Sequence, residues 1–137
     1  KKQTNRIAEA ESFIRINKDL YKLLINDENL FNNLCHTAKV AGILAAKNTS
    51  LQIPLTHQIF LDHISIEFSL EKESYIHLKS SIKTRYATGL EIESLNCIST
   101  AAITIFDMLK SYKKEIIIEN IKLVKKRGGK NNIGWHF

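Results

Sequence analysis

The sequence predicts an α+β fold, one antiparallel sheet with its helices packed on one face. Three observations carry this. Between residues 64 and 82 the chain alternates in polarity: Ile64, Ile66, Phe68 and Leu70 precede the turn Lys72-Glu73-Ser74, and Ile76, Leu78, Ser80 and Ile82 follow it. Such a pattern is a β-hairpin. From 90 to 112, Leu95, Ile98, Ala102, Ile105 and Leu109 recur at steps of three and four, the apolar stripe of an amphipathic helix. Strand-like and helical segments are interleaved around these two, in the order strand, helix, helix, hairpin, helix, strand.

Taken in order, residues 6–16 mostly alternate and end in β-favouring residues, which predicts a strand, although the Ala/Glu half also suits a helix. Asn17 or Lys18 opens a short helix bearing Leu20, Leu23 and Leu24, and the polar run at 26–29 is expected to end it. A second helix is expected from about Asn33 to Lys47, with Leu34, Ala38, Ala41, Leu44 and Ala45 on its apolar side. Gly42 falls inside it, at a cost of about 1 kcal/mol against Ala, and predicts close approach of another backbone. Asn48-Thr49-Ser50 stops this helix. Pro54, the one proline, sits in neither a helix interior nor a central strand, and marks a turn presenting Thr56 and His57. A lone His there is either a surface residue or part of a site. The last strand spans 116–124, and residues 127–137 are expected to form a basic, flexible tail. Omitting one of the first two helices leaves βαββαβ, the split-βαβ or ferredoxin-like plan. The second sheet face must then be polar or covered, most simply by another subunit.

The chain has 137 residues, enough for a single domain with an ordinary core. No run of about 18 apolar residues is present. The chain starts at Lys1 without an initiator Met and shows no secretory signal. Cys35 and Cys97 have no second cysteine at metal or redox spacing; they read as small buried hydrophobes in a reducing compartment, the cytoplasm or an organelle matrix. Twenty basic side chains against 14 acidic ones give a charge of +6, part of it crowded at Lys122, Lys125, Lys126, Arg127 and Lys130. That patch suits phosphates, either of a nucleotide or of a nucleic acid.

The long helix has a second side carrying Glu93, Asn96, Thr100, Thr104 and Asp107, with Lys110 three residues after Asp107. Short polar groups suit a subunit contact or a pocket wall; the plainer alternative is a modestly polar solvent face with a local ion pair.

Five stretches now stand in a particular order. They are Thr37-Ala38-Lys39-Val40-Ala41-Gly42-Ile43 with Ala45-Ala46-Lys47-Asn48-Thr49; Ile53-Pro54-Leu55-Thr56-His57; Thr88-Gly89-Leu90-Glu91-Ile92-Glu93-Ser94-Leu95; residues 103–110 with Asp107 and Lys110; and residues 126–130. In these the chain resembles the MoaC family, the cyclic pyranopterin monophosphate synthases of molybdenum cofactor biosynthesis. The resemblance implies one ferredoxin-like domain over residues 1–137, assembled as a homo-oligomer, a hexamer built as a trimer of dimers, with each site at a dimer interface. It implies a guanosine-triphosphate-derived substrate, a 3′,8-cyclised dihydroguanosine triphosphate, rearranged to the cyclic pterin with release of pyrophosphate. It implies a lyase that needs no metal or organic cofactor and engages neither membrane nor nucleic acid.

By the same resemblance Asp107 and Lys110 are catalytic, and Leu55, Thr56, His57, Glu91, Ile92, Glu93 and Lys126 bind substrate, with Arg6 and Lys47 at further basic positions. The residue types fit. Ring rebuilding needs proton transfer, which a carboxylate and a lysine supply; a departing pyrophosphate needs cations; and guanine-like N–H groups need carboxylate acceptors. Glu91 and Glu93 would stand roughly 200° apart on a helix and share a side only in extended chain. One family motif departs: aligned without gaps, its Lys-Gly-Asp answers to Phe31-Asn32-Asn33, so a catalytic lysine is replaced. Two alternatives follow, a catalytically impaired relative with a structural or binding role, and a nucleic-acid-binding sheet module, which would lack paired exposed aromatics on its hairpin.

Overall fold

In the computed structural model the chain is described over residues 5–85 and 89–128, and for backbone alone at 133–134. Thr88 and residues 129–132 and 135–137, hence part of two motifs quoted above, lie outside the described residues. Strand β1 (Arg6–Ile16) leads to helix α1 (Lys18–Asn26), helix α2 (Glu28–Lys47) and a short α3 (Thr49–Gln52). The hairpin β2 (His63–Glu71) and β3 (Tyr75–Thr84) follows, then α4 (Glu91–Leu109), a single 3₁₀ turn, β4 (Ile116–Arg127) and the two-residue β5 (Ile133–Gly134). The sheet order is β2-β3-β1-β4-β5 and every pairing is antiparallel. Its first four strands have the expected ferredoxin-like arrangement.

The alternation of β1 explains its place. Ala8, Ala10, Ser12, Ile14 and Ile16 are buried beneath the helices, while Ile7, Glu9, Glu11, Phe13 and Arg15 point to the other side. The small residues matter because α4 crosses close above them. Ser94 on α4 donates to the Ala8 carbonyl oxygen at 3.4 Å, and its hydroxyl lies 3.3 Å from that of Ser80 on β3. A larger group on either element would push the helix off the sheet. By length and composition α4 could cross a membrane, but it serves as the core helix, with Cys97, Ile98, Ala101, Ala102, Ile105 and Leu109 fully buried.

Helix α2 runs antiparallel to α4, and Gly42 is where they touch. A Cβ there would lie 2.6 Å from Ile66 Cδ1 and 3.0 Å from the Cys97 carbonyl oxygen. The close backbone approach expected of Gly42 is therefore made within the chain.

Short α3 was not expected, the helix expected to reach 112 ends at Leu109, and two further boundaries differ by more. Helix α2 starts at Glu28, five residues before Asn33, because Asp27 serves two helices at once. Its N–H closes α1 on the Leu23 carbonyl oxygen at 2.9 Å, and its carboxylate accepts from Leu30 N at 3.0 Å. The polar run is a cap-to-cap joint, and Phe31 falls in the second helix, packed on the core. At the other end of the chain, β4 extends to Arg127, and Lys125 and Lys126 pair with the backbone of Gly134 and Ile133. The expected tail therefore contributes sheet at those positions.

The outer sheet face is charged rather than apolar. Lys79 meets Glu9 at 3.6 Å, Lys122 meets Glu11 at 3.6 Å, and Arg15 meets Glu119 at 2.5 Å. Cross-strand pairs of opposite sign stabilise such a face in water.

Candidate active site

The topology gives the domain two ends. At the first lie the starts of β1 and β2, the ends of β3 and β4, the C-terminus of α2 and the N-terminus of α4. At the opposite end lie the start of α2 and the end of α4.

An ion cluster forms at the first end. Glu91, the first residue of α4, pairs through Oε1 with Lys126 Nζ on β4. Lys126 stands opposite Ala8 in the sheet, and Arg6 lies two residues earlier on the same side of β1. Burial pushes the Glu91 carboxyl up, but the Lys126 ammonium, its own helix-start N–H and the Arg6 charge outweigh this and hold it below the usual value. Glu93 is different. It is buried among α4's core residues, and burial, aided by the Glu91 charge, raises its carboxyl against the lowering pull of its own N–H. The two glutamates thus occupy separate sides of one helical turn; the extended alternative is not adopted. Ile92 between them stays partly exposed.

The loop after α3 is tied to the same end. Asn96 on α4 donates to the Ala45 carbonyl oxygen at 3.0 Å and to Gln52 Oε1 at 2.7 Å. Gln58 donates to the Lys47 carbonyl oxygen at 3.3 Å, and Thr84 donates to the Phe60 carbonyl oxygen at 2.6 Å. Between these anchors Thr56 closes a turn on the Ile53 carbonyl oxygen at 2.8 Å, and Leu55 and His57 face outward, Leu55 at 94% exposure. Leu51 and Phe60, on either side of this loop, are likewise exposed large apolar side chains.

A family model described as the MoaC family matches residues 1–129. The cyclic pyranopterin monophosphate synthase of Bordetella parapertussis is 39% identical over 132 residues, covering 96% of this chain and 82% of that protein. The synthase of Peptoclostridium acidaminophilum is 40% identical over 131 residues, covering 96% and 83%. The chain belongs to the MoaC family.

As a MoaC protein it divides its expected site residues between the two ends. Asp107 and Lys110 close an i, i+3 ion pair of 2.6 Å near the end of α4, both side chains about two-thirds exposed. Sixteen residues of helix separate Asp107 from Glu91, about 24 Å. Phe31, near the start of α2, belongs to the same end as Asp107. The structure therefore pairs Lys126 with Glu91 within reach of the Arg6 charge, ties the Leu55–Thr56–His57 loop to the same end of the domain, and leaves Asp107 and Lys110 remote within one chain.

Sequence reading missed what Asn96 and Gln58 do. Asn96 stood only as one of several short polar groups on α4, although a part-buried amide needs partners. Gln58 gave no signal.

Proposed function

We propose that this chain is a cyclic pyranopterin monophosphate synthase of molybdenum cofactor biosynthesis, acting in the cytosol or an organelle matrix. It would convert the 3′,8-cyclised dihydroguanosine triphosphate to the cyclic pterin and release pyrophosphate. The observation that carries this is near-full-length identity to named synthases together with the Arg6–Lys126–Glu91 cluster. Lys126 and Arg6 supply positive charge where phosphates depart. Glu91, held ionised by them, accepts N–H donors of a guanine-like edge, and the exposed His57 and Thr56 offer hydrogen bonds to sugar or phosphate. Asp107 and Lys110, in contact with each other, are the acid/base pair for ring rebuilding.

Because the halves lie about 24 Å apart in one chain, a complete site takes the phosphate-binding end from one protomer and the Asp107/Lys110 end from another. This fits a dimer-based assembly, with the trimer of dimers as its closed form. The exposed apolar residues of the helix layer, Val40, Leu44, Leu51, Ile103 and Phe106, support association. Purified protein is incubated with the cyclised nucleotide, and pterin and pyrophosphate are measured. Both should form, and Asp107→Asn should abolish them while leaving assembly intact. A wild-type chain that binds a substrate analogue and yields no pterin would instead be the impaired relative, with Phe31 in the lysine position as the cause.

A further inference from the structure

The open side of the sheet, away from the helices, carries a basic row at one end. A cleft of about 640 Å³ occupies the first end of this side, its lining including Arg6, Ile7, His63, Lys83, Arg85 and Arg127. Strand register explains the cluster. Arg127 is opposite Ile7, Ile7 is opposite Lys83, and Lys83 is opposite His63. Directly opposed residues share a side, so one row across four strands carries three basic side chains around an apolar floor, Ile7. With adjacent strands about 4.8 Å apart, Arg127 and Lys83 start roughly 10 Å from each other, close enough for two long side chains to converge above Ile7.

At Lys83 and Arg127 the charge has no acidic partner among the described residues. The lining holds four cationic side chains and one carboxylate, Asp62. Asp62 is engaged by Arg85, with Nε at 3.2 Å and Nη2 at 3.4 Å from its two oxygens. The next rows behave differently: Glu9 stands between Lys125 and Ser81, and Glu11 between Lys122 and Lys79. The positive potential is thus confined to a pocket one row deep. An extended nucleic-acid backbone needs a continuous basic path, which these glutamates interrupt; a compact, multiply charged anion does not.

We propose that this cleft binds an oligophosphate, either free pyrophosphate or the phosphate chain of a nucleotide. Lys83 and Arg127 are its principal cations, with Arg85 oriented by Asp62. The site is separate from the Lys126–Glu91 cluster on the helix side, although Arg6 borders both, and its binding is read without turnover.

Calorimetric titration with inorganic pyrophosphate, and separately with GTP, compares wild type, Lys126→Met and the double variant Lys83→Gln/Arg127→Gln. Both substituted residues of the double variant are exposed, so folding should be retained, as circular dichroism checks. The double variant should bind pyrophosphate roughly tenfold or more weakly, since two charge-assisted hydrogen bonds are lost. Lys126→Met should keep this component. Amide resonances of Ile7 and His63 should shift on titration. Equal affinity for GTP identifies the phosphate chain as the ligand; tighter GTP binding places the rest of a nucleotide over Ile7. Unchanged pyrophosphate binding by the double variant would overturn the proposal, and so would a short RNA that binds the cleft at least tenfold more tightly than pyrophosphate. Loss of synthase activity without loss of this binding would count against the catalytic reading alone.

Discussion

Glu93 and Glu91, two residues apart, respond to pH in opposite directions. Glu93 is raised by burial, so its contribution to stability is present below about pH 4.5, the ordinary value, and is lost as pH rises through the raised one. Glu93→Gln removes that loss. The melting temperature of the variant relative to wild type should therefore increase between about pH 4 and about pH 8; a constant difference would show that the buried carboxyl does not carry the effect. Glu91 is lowered, so its contribution is present above the ordinary value and disappears as pH falls through the lowered one. Lys126→Met removes the hydrogen-bonded ammonium and leaves Arg6. The Glu91 carboxyl, followed by carbon NMR, should then titrate at higher pH than in wild type. A midpoint that stays where it was would mean that Arg6 and the helix N–H hold it down without Lys126.

Among the elements, α2 and α4 depend on absent atoms as much as on present ones. Gly42 forfeits about 1 kcal/mol of helix propensity, yet an added methyl would press on Ile66 and on the Cys97 carbonyl oxygen. The side chain of Ile66 can turn aside, but the carbonyl belongs to a buried helix and cannot. Overpacking of this kind costs typically about 1–3 kcal/mol. Gly42→Ala should therefore be destabilising in urea titration despite its better propensity, and a gain in stability would show that the helices separate freely. Gly42 of α2 meets α4, and Ala38, Ala45 and Ala46 are buried beside it, so the close backbone approach expected of Gly42 is used inside the chain. Of the short polar groups on α4, Asn96 is likewise spent on α2 and α3, whereas Asp107 is exposed.

For the molecule as a whole, the proposed site residues stand at two ends of one chain, Glu91 and Asp107 about 24 Å apart along α4. If two chains complete each other's sites, variants defective at opposite ends rescue one another. Asp107→Asn and Lys126→Met, each inactive alone, should recover about a quarter of wild-type activity when unfolded and reassembled together, because half of randomly formed two-fold dimers are mixed and each has one intact site. Recovery of none would indicate that each site is built within one chain. Sedimentation at micromolar concentration should show an oligomer; a monomer alone would leave Ile103, Phe106, Val40 and Leu44 in water without a partner.

Periodicity by itself determined the hairpin and the amphipathic character of α4, because alternation and three-to-four spacing report directly which side of an element is buried, but it left the Ala/Glu half of β1 open between strand and helix. The order of motifs determined the family. Capping was beyond the pattern: the polar run around Asp27 looked like a break, yet one carboxylate and one N–H serve adjacent helices. So was the burial of Glu93, a charged type that local rules assign to solvent, since only the packing of α4 onto the sheet removes its water. The row of Arg127, Lys83 and His63 draws on three strands far apart in sequence, and register alone brings them together. The separation of Asp107 from Glu91 was available from helix length, but that it places them at opposite ends of the domain follows from α4 lying along the sheet, which the hydrophobic contact with β1 enforces.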